Sequence, residues 1–128
     1  MTGELRIESL ITFEIPEDGS HVRIKGNDAD GCSSSVYFAT DCMRQLVMSL
    51  PRIAQEAIKR QHRKNDLRLV YHASDWEIEA TNDDDVILTL STPDQFFVSF
   101  LFKRAAMESL CRSATAALEK LDGGPFRH

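Results

Sequence analysis

The sequence has little of what marks a secreted or membrane-spanning chain. Only three of its 128 residues are cysteines, and an odd number at irregular spacings makes a poor disulfide framework. No apolar run approaches the roughly 20 residues needed to cross a bilayer. The N-terminus lacks the basic start and apolar stretch of a signal peptide. These absences predict a cytoplasmic protein that does not enter a membrane.

Motifs of catalysis and metal binding are also missing. There is no glycine-rich phosphate loop, no Gly-x-Ser-x-Gly turn and no His-Glu-x-x-His helix. The stretch that begins at Asp28 resembles the start of a calcium loop, but its twelfth position is Ala39 instead of glutamate. His72 with Glu77 and Glu79 offers too few soft or imidazole ligands for zinc. The sequence therefore predicts no catalytic residues, no metal and no cofactor.

An excess of positive charge is absent as well. The formal net charge is −5, whereas proteins that grip a phosphate backbone usually carry positive charge. Five cations nevertheless cluster between positions 59 and 68 and form the candidate nucleic-acid site: Lys59, Arg60, Arg63, Lys64 and Arg68. Two interpretations stay open, because a basic helix end also suits the helix dipole without any ligand.

What the sequence does contain is one apolar pattern that occurs twice, 64 residues apart. The first copy consists of Met43, Leu46, Val47, Leu50, Ala54 and Ala57, and the second of Met107, Leu110, Cys111, Ala114, Leu118 and Leu121. Spacings of three and four predict two amphipathic helices, over residues 41–63 and 104–121. Pro51 falls inside the first stripe without changing its phase, which indicates a kink and not a stop. Cys111 is expected in the core.

Alternating apolar residues predict strands ahead of each helix. The longest alternation covers residues 4–15, and Trp76 alternates in phase with Ile78 and Ala80, which indicates a core position for the indole. The further predicted strands cover residues 21–25, 36–38, 67–71, 76–80, 86–90 and 96–102. Because the turns between them are about four residues long, the strands are expected to pair antiparallel.

These elements predict an α+β fold with an internal duplication. Each unit is an antiparallel β-meander followed by one helix, and each helix is expected to pack on a sheet face. The chain forms a single domain of two repeats, residues 4–63 and 66–122, and residues 123–128 form a flexible tail that begins with a left-handed stop at Gly123 and Gly124.

The order of these elements, together with the repeated stripe, resembles that of the PUR-type and Whirly single-stranded nucleic-acid-binding proteins. In those families the sheets form the binding surface and the helices support assembly. The resemblance implies a duplicated sheet-plus-helix fold. No sequence motif of those families is matched, so no functional residue is transferred to this chain.

The last strand is apolar on both faces. Phe97 and Leu101 point away from the other apolar residues of that strand, and a strand that is apolar on both sides is covered twice or lies at a subunit interface. Together with Ile87, these two residues form the candidate dimer interface. The sequence thus predicts a small non-catalytic interaction module that forms a homodimer and contacts its own copy or another protein. The alternative is a regulator that binds single-stranded nucleic acid through residues 59–68, and a small-ligand binder or enzyme has the least support.

Overall fold

The computed structural model describes residues 3–123 and divides the chain into two compact units, Met1–Leu69 and Val70–His128. In each unit a three-stranded antiparallel sheet is followed by one helix. This arrangement confirms the predicted α+β class and the two similar units. Of the predicted tail, only Gly123 is described, where it is the last residue of the second helix; Gly124 and the residues after it lie outside the described range.

Unit 1 contains three strands and a long helix. Its elements are β1 (Ser9–Glu14), β2 (His21–Asn27), β3 (Ser33–Ala39) and α1 (Thr40–His62). The strand order is β1-β2-β3, and β1 is shorter than predicted. The register shifts between Leu10 and Thr12, so a bulge interrupts the expected alternation. As a result, Leu10 lies opposite Gly26. Strict alternation predicts that Ile11 and Phe13 share a face of the sheet, and the bulge prevents this.

Backbone geometry explains the ends of α1. The amide of Thr40 donates to the carbonyl of Ser20, and its hydroxyl donates to the carbonyl of Gly19. The helix continues through Pro51, so the proline does not end it. Arg63 adopts a left-handed conformation with φ 55°, and the amide of Lys64 donates to the carbonyl of Lys59. This geometry is a common way to end a helix, although glycine usually occupies the left-handed position.

Unit 2 repeats this order with three strands and a helix. Its elements are β4 (Asp75–Ala80), β5 (Asp85–Ser91), β6 (Phe97–Lys103) and α2 (Arg104–Gly123), with strand order β4-β5-β6. The strand predicted at residues 67–71 is not formed, and these residues are irregular. Instead, the amide of Leu69 donates to the side-chain oxygen of Gln55 on α1 at 3.0 Å. The segment therefore runs back along the helix that precedes it.

The structure does not show the predicted packing of the helices on the sheet faces. Within residues 3–123, no hydrophobic side chain is buried, and Asp85 and Gly26 are the buried residues. Cys111, expected in the core, is exposed, as are Cys32 and Cys42. Each unit therefore presents an apolar sheet face and an amphipathic helix, but neither of these surfaces is closed into a core.

Candidate functional site

The sheet of unit 2 has one face made entirely of apolar side chains. Direct antiparallel partners share a face, and the register joins three such rows, in which Leu90, Leu88 and Val86 of β5 form the middle. We call the nine residues the apolar face of unit 2: Trp76, Ile78, Ala80, Val86, Leu88, Leu90, Val98, Phe100 and Phe102.

This face is open to solvent along its edge strand. Trp76 is 66% exposed and Ile78 is 61% exposed, while the residues of the central strand are half-buried or slightly more open. The alternation in the sequence correctly places Trp76 in line with Ile78, but the indole is not in a core. A contiguous exposed apolar surface of this kind is unusual, because single exposed apolar residues are ordinary whereas large patches are not.

Helix α2 presents a second uncovered apolar surface. Its stripe, which the repeated pattern predicts, consists of Met107, Leu110, Cys111, Ala114, Leu118 and Leu121. Met107 is half-buried, but Leu118 and Leu121 are 61% and 66% exposed. The stripe is covered only near the junction with β6, so most of the helix lacks a partner surface among the described residues.

Unit 1 differs, because its helix faces its sheet across a groove. Met43, Leu46 and Leu50 of α1 line one side of the groove, which has a volume of about 430 Å³. The sheet side includes Leu10, Ile24, Val36 and Phe38. Met43 and Leu46 are half-buried. The groove is almost wholly apolar, so it offers shape and hydrophobic area and has few polar groups with which to orient a small ligand.

The predicted dimer-interface residues all lie on the other face of the unit 2 sheet. Ile87 is the direct partner of Leu101, and Phe97 pairs with Ser91 two rows away. Charged and hydroxyl side chains surround them; Glu79 is the direct partner of Ile87 on the β4 side. Phe97 and Leu101 are 67% and 63% exposed. Ile87 and Leu101 thus form a small apolar patch within a polar face, and the hydroxyl pair of Thr89 and Ser99 separates Phe97 from it.

The predicted basic cluster lies at the C-terminal end of α1 and in the segment that follows it. Lys59 and Arg60 are in the last turns, and Arg63 and Lys64 form the left-handed end of the helix. Arg68 is exposed on the segment tied to Gln55. Arg60 contacts Glu56 at 3.3 Å, whereas the other four cations make no ion pair with any residue of the described range. The structure thus collects the cations in unit 1.

The aromatic residues closest in sequence to the basic cluster, Tyr71 and Trp76, belong to unit 2. Tyr71 contacts Phe96, with ring centroids 5.5 Å apart, and both rings line an apolar pocket of about 220 Å³ together with Val98 and Phe100. Trp76 lies on the apolar face of unit 2. In unit 1, the Arg23 guanidinium lies 5.9 Å from the ring centre of Tyr37, but both belong to the sheet and not to the basic helix end.

Two acidic residues of the β4–β5 turn are paired with the start of α2. Arg104 donates to both carboxylate oxygens of Asp84, with the shortest contact at 2.7 Å, and Lys103 lies 3.2 Å from Asp85. These pairs explain the two cations at the junction, Lys103 at the end of β6 and Arg104 at the start of α2. Arg104 opposes the helix dipole, but both cations neutralise residues that would otherwise carry clustered negative charge. The hydrogen bonds and positive charge of Arg104 lower the pKa of Asp84.

The other carboxylates whose pKa values are shifted lie in local turns. The amide and hydroxyl of Ser20 donate to Asp18 and lower its pKa, and the hydroxyl of Thr92 does the same for Asp94. These carboxylates stabilise turns and do not converge on a site. Similarly, Asp28 accepts the amides of Asp30 and Cys32, both at 2.9 Å. The side chain that resembled a calcium ligand organises its own loop.

The described residues contain no group of three or more histidine, cysteine, aspartate or glutamate side chains that could hold a metal ion. None of the helices in residues 3–123 is long and apolar enough to cross a membrane. The sequence-based prediction selected Phe97, Leu101 and Ile87 and missed the larger apolar face opposite, although the spacing of two residues among the apolar side chains of each strand, such as Trp76, Ile78 and Ala80, marks that face. Alternation alone does not distinguish an apolar face that is covered in a core from one that is exposed.

Comparison with known proteins adds no identity, because the chain matches no protein-family model, no curated protein and no solved structure. The PUR-type and Whirly resemblance therefore remains one of element order. The candidate site is defined by its own surfaces: the apolar face of unit 2, the stripe of α2, the groove of unit 1 and the basic end of α1.

Proposed function

We propose that this protein is a non-catalytic, cytoplasmic interaction module that acts as a homodimer. The observation that carries the proposal is the amount of uncovered apolar surface. Sheets and amphipathic helices are stable in water only when their apolar sides are covered, and here no hydrophobic side chain of the described residues is buried. A second copy supplies the missing cover.

The accessible area supports this proposal quantitatively. A compact protein of 14.5 kDa exposes about 6,900 Å², and even two independent globules of half that mass expose together about 8,300 Å². The chain exposes 11356 Å², which exceeds the larger figure by about 3,000 Å². Each partner in an obligate homodimer loses about 1,000–2,500 Å², so the uncovered area is sufficient for an extensive, permanent interface.

The cysteines support the cytoplasmic part of the proposal. Cys32, Cys42 and Cys111 are all free and exposed. Free exposed thiols persist in a reducing compartment, whereas oxidising compartments convert them to disulfides.

Solution mass tests the proposal. Sedimentation equilibrium over a wide concentration range is expected to give twice the 14.5 kDa of one chain, with no decrease at micromolar concentration. A hydrophobic dye should bind weakly to the dimer, because its apolar surfaces are covered. A mass of one chain at every concentration would refute the homodimer, and strong dye binding by such a monomer would identify the uncovered faces as sites for a different protein.

The basic end of α1 favours a second candidate function, the binding of single-stranded nucleic acid. Lys59, Arg63, Lys64 and Arg68 have no ion-pair partner within the described range, so they are available to phosphates. The experiment measures binding of a short single-stranded oligonucleotide at low salt and its decrease as salt rises.

A matched pair of variants makes that experiment specific. Changing Arg60, Arg63 and Lys64 to glutamate should abolish binding, whereas three equal charge reversals at Arg44, Arg112 and Lys120 should weaken it only through the net charge. Absence of binding by the unchanged protein at low salt would remove this second function. Equal loss in both triple variants would show that the cluster is not the site.

A further inference from the structure

We propose that helix α2 of one copy covers the apolar face of unit 2 in the other copy, reciprocally, within the homodimer. This inference rests on the proposed function, because it specifies which surfaces the two copies share. It differs from the interface predicted at Phe97, Leu101 and Ile87, which lies on the opposite face of the same sheet. Three features of unit 2 lead to it.

The first feature is the composition of the two sheet faces. All nine residues of the apolar face are hydrophobic, and the indole N–H of Trp76 is the one polar side-chain group among them, so covering the face removes little polar surface from water. The opposite face carries Glu77, Glu79 and Lys103 beside the smaller apolar patch. Burying these unpaired carboxylates would oppose association, because a buried charge without a partner is costly. A second copy therefore gains more on the apolar face.

The second feature is the match between the face and the helix. The 20 residues of α2 span about 30 Å at 1.5 Å per residue. Strands of six or seven residues are about 20–23 Å long. The helix is thus long enough to cross the whole face. The open part of its stripe, from Leu110 to Leu121, spans about 16 Å, which is most of that length. A helix laid on a sheet is one of the standard ways to close an apolar layer.

The third feature is closure. Each copy offers one apolar face and one uncovered stripe in unit 2, so a two-fold arrangement covers both faces and both stripes and leaves none of these four surfaces open. Such a reciprocal contact limits assembly to two copies, whereas a one-way contact would continue into a chain of copies. The uncovered area of about 3,000 Å² per chain is large enough for this exchange in addition to any cover of the unit 1 groove.

Two native side chains report on the contact without any mutation. Trp76 is the single tryptophan and lies on the apolar face, so in the dimer its fluorescence should be blue-shifted and shielded from acrylamide. Cys111 lies on the α2 stripe and should react with a thiol reagent at least about ten times more slowly than Cys32, which lies in a loop. In a single copy both cysteines are exposed.

Three glutamate variants at similarly exposed apolar positions complete the experiment. Ile78→Glu changes the apolar face, Leu118→Glu changes the stripe of α2, and Phe97→Glu is the matched control on the opposite face. The first two place a carboxylate in a buried contact and should weaken dimerisation at least about 100-fold. Phe97→Glu should leave the dimer intact, with Trp76 still shielded. Circular dichroism verifies that each variant is folded.

The outcomes separate this inference from the proposed function. A dimer in which Trp76 is freely quenched, or in which Cys111 reacts as fast as Cys32, would overturn the inference while the homodimer stands. The same holds if Phe97→Glu alone gives monomers, which would place the contact on the opposite face. A monomeric unchanged protein would refute both. If Ile78→Glu or Leu118→Glu fails to fold, the two measurements on the unchanged protein still decide.

Discussion

The two units have the same order of elements but differ in how they cover their helices. In unit 1, α1 faces its sheet across the apolar groove, and the segment that ends at Leu69 returns along the helix. In unit 2, the helix has no returning segment among the described residues, and its stripe is open beyond Met107. The same repeated stripe is therefore partly covered in one unit and exposed in the other.

This difference teaches that a repeated hydrophobic pattern specifies elements but not what covers them. Both helices begin directly where the preceding strand ends, at Ala39 and at Lys103. Beyond the groove, α1 of unit 1 gains a further contact from the chain that follows it, through the left-handed turn at Arg63 and the bond from Leu69 to Gln55. The part of unit 2 that the structure describes contains no equivalent, which is why we propose it as the region that contacts a second copy.

The largest expected effect on stability comes from replacing Gly26, and this effect should be confined to unit 1. An added Cβ would lie 2.5 Å from Cγ2 of Ile7 and 2.8 Å from the carbonyl oxygen of Ser9. Because the second contact is backbone, β1 has to move, and Gly26→Ala should lower the free energy of unfolding by about 1–3 kcal/mol. Denaturant unfolding measures the change.

The matched control for Gly26→Ala is Gly3→Ala, which has open space around the added atom. Hydrogen exchange then locates the effect, since only amides of unit 1 should lose protection. Equal loss of protection in β4, β5 and β6 would show that the two units do not respond separately and would weaken the comparison.

An intermediate effect on stability is expected from the hydrogen bond that joins the segment ending at Leu69 to α1. Gln55→Ala removes the acceptor of the Leu69 amide and should cost about 0.5–1.5 kcal/mol. The exchange of the Leu69 amide should become faster at the same time. Gln61→Ala, on the exposed end of the same helix, is the control and should leave that amide unchanged. If Gln55→Ala has no effect on Leu69, the returning segment does not depend on this bond.

The smallest effect concerns the turn that supports the start of α2. Because Arg104 lowers the pKa of Asp84, this ion pair stabilises unit 2 above the unfolded carboxyl pKa of about 3.9, and the contribution is lost as the pH falls through the lower folded value. Arg104→Gln should raise the pKa of Asp84 towards its ordinary value, as measured by carboxyl NMR titration.

Asp18 in unit 1 is the internal reference for that titration. Its pKa is lowered by Ser20, so it should not respond to Arg104→Gln. A change at Asp18 equal to that at Asp84 would mean that the variant alters the whole chain and not the turn.

Much of the secondary structure is readable from residue spacing. Alternation predicts six strands near their observed positions, because side chains of a strand alternate between its two faces; it is centred on Phe13, Val22, Val36, Trp76, Leu88 and Phe100. The strand predicted at 67–71 failed for a specific reason: Leu67, Leu69 and Tyr71 have the spacing of a strand, but the amide of Leu69 bonds to Gln55 instead of to a neighbouring strand. Alternation predicts an extended chain, and only pairing makes it a strand.

Less of the candidate site could be predicted from the sequence. The basic residues at 59–68 are close in sequence, so their common position at one helix end follows directly from the chain. The apolar face of unit 2 joins residues from three strands, and its extent depends on the register that places Trp76 beside Leu90 and Leu90 beside Val98. The pairing of Arg104 with Asp84, 20 residues apart, likewise required the tertiary structure.

The sequence by itself determined the two helices, their apolar stripes and the alternation of the strands, because these are periodicities of three to four and of two residues along a single chain. Only the tertiary structure decided which apolar surfaces are left uncovered. That outcome depends on register, on a bulge at Leu10 and on a segment returning to Gln55, all of which join residues far apart in the chain. Hydrophobic burial is non-directional and rewards any cover of sufficient area, so a stripe in the sequence does not specify the surface that covers it.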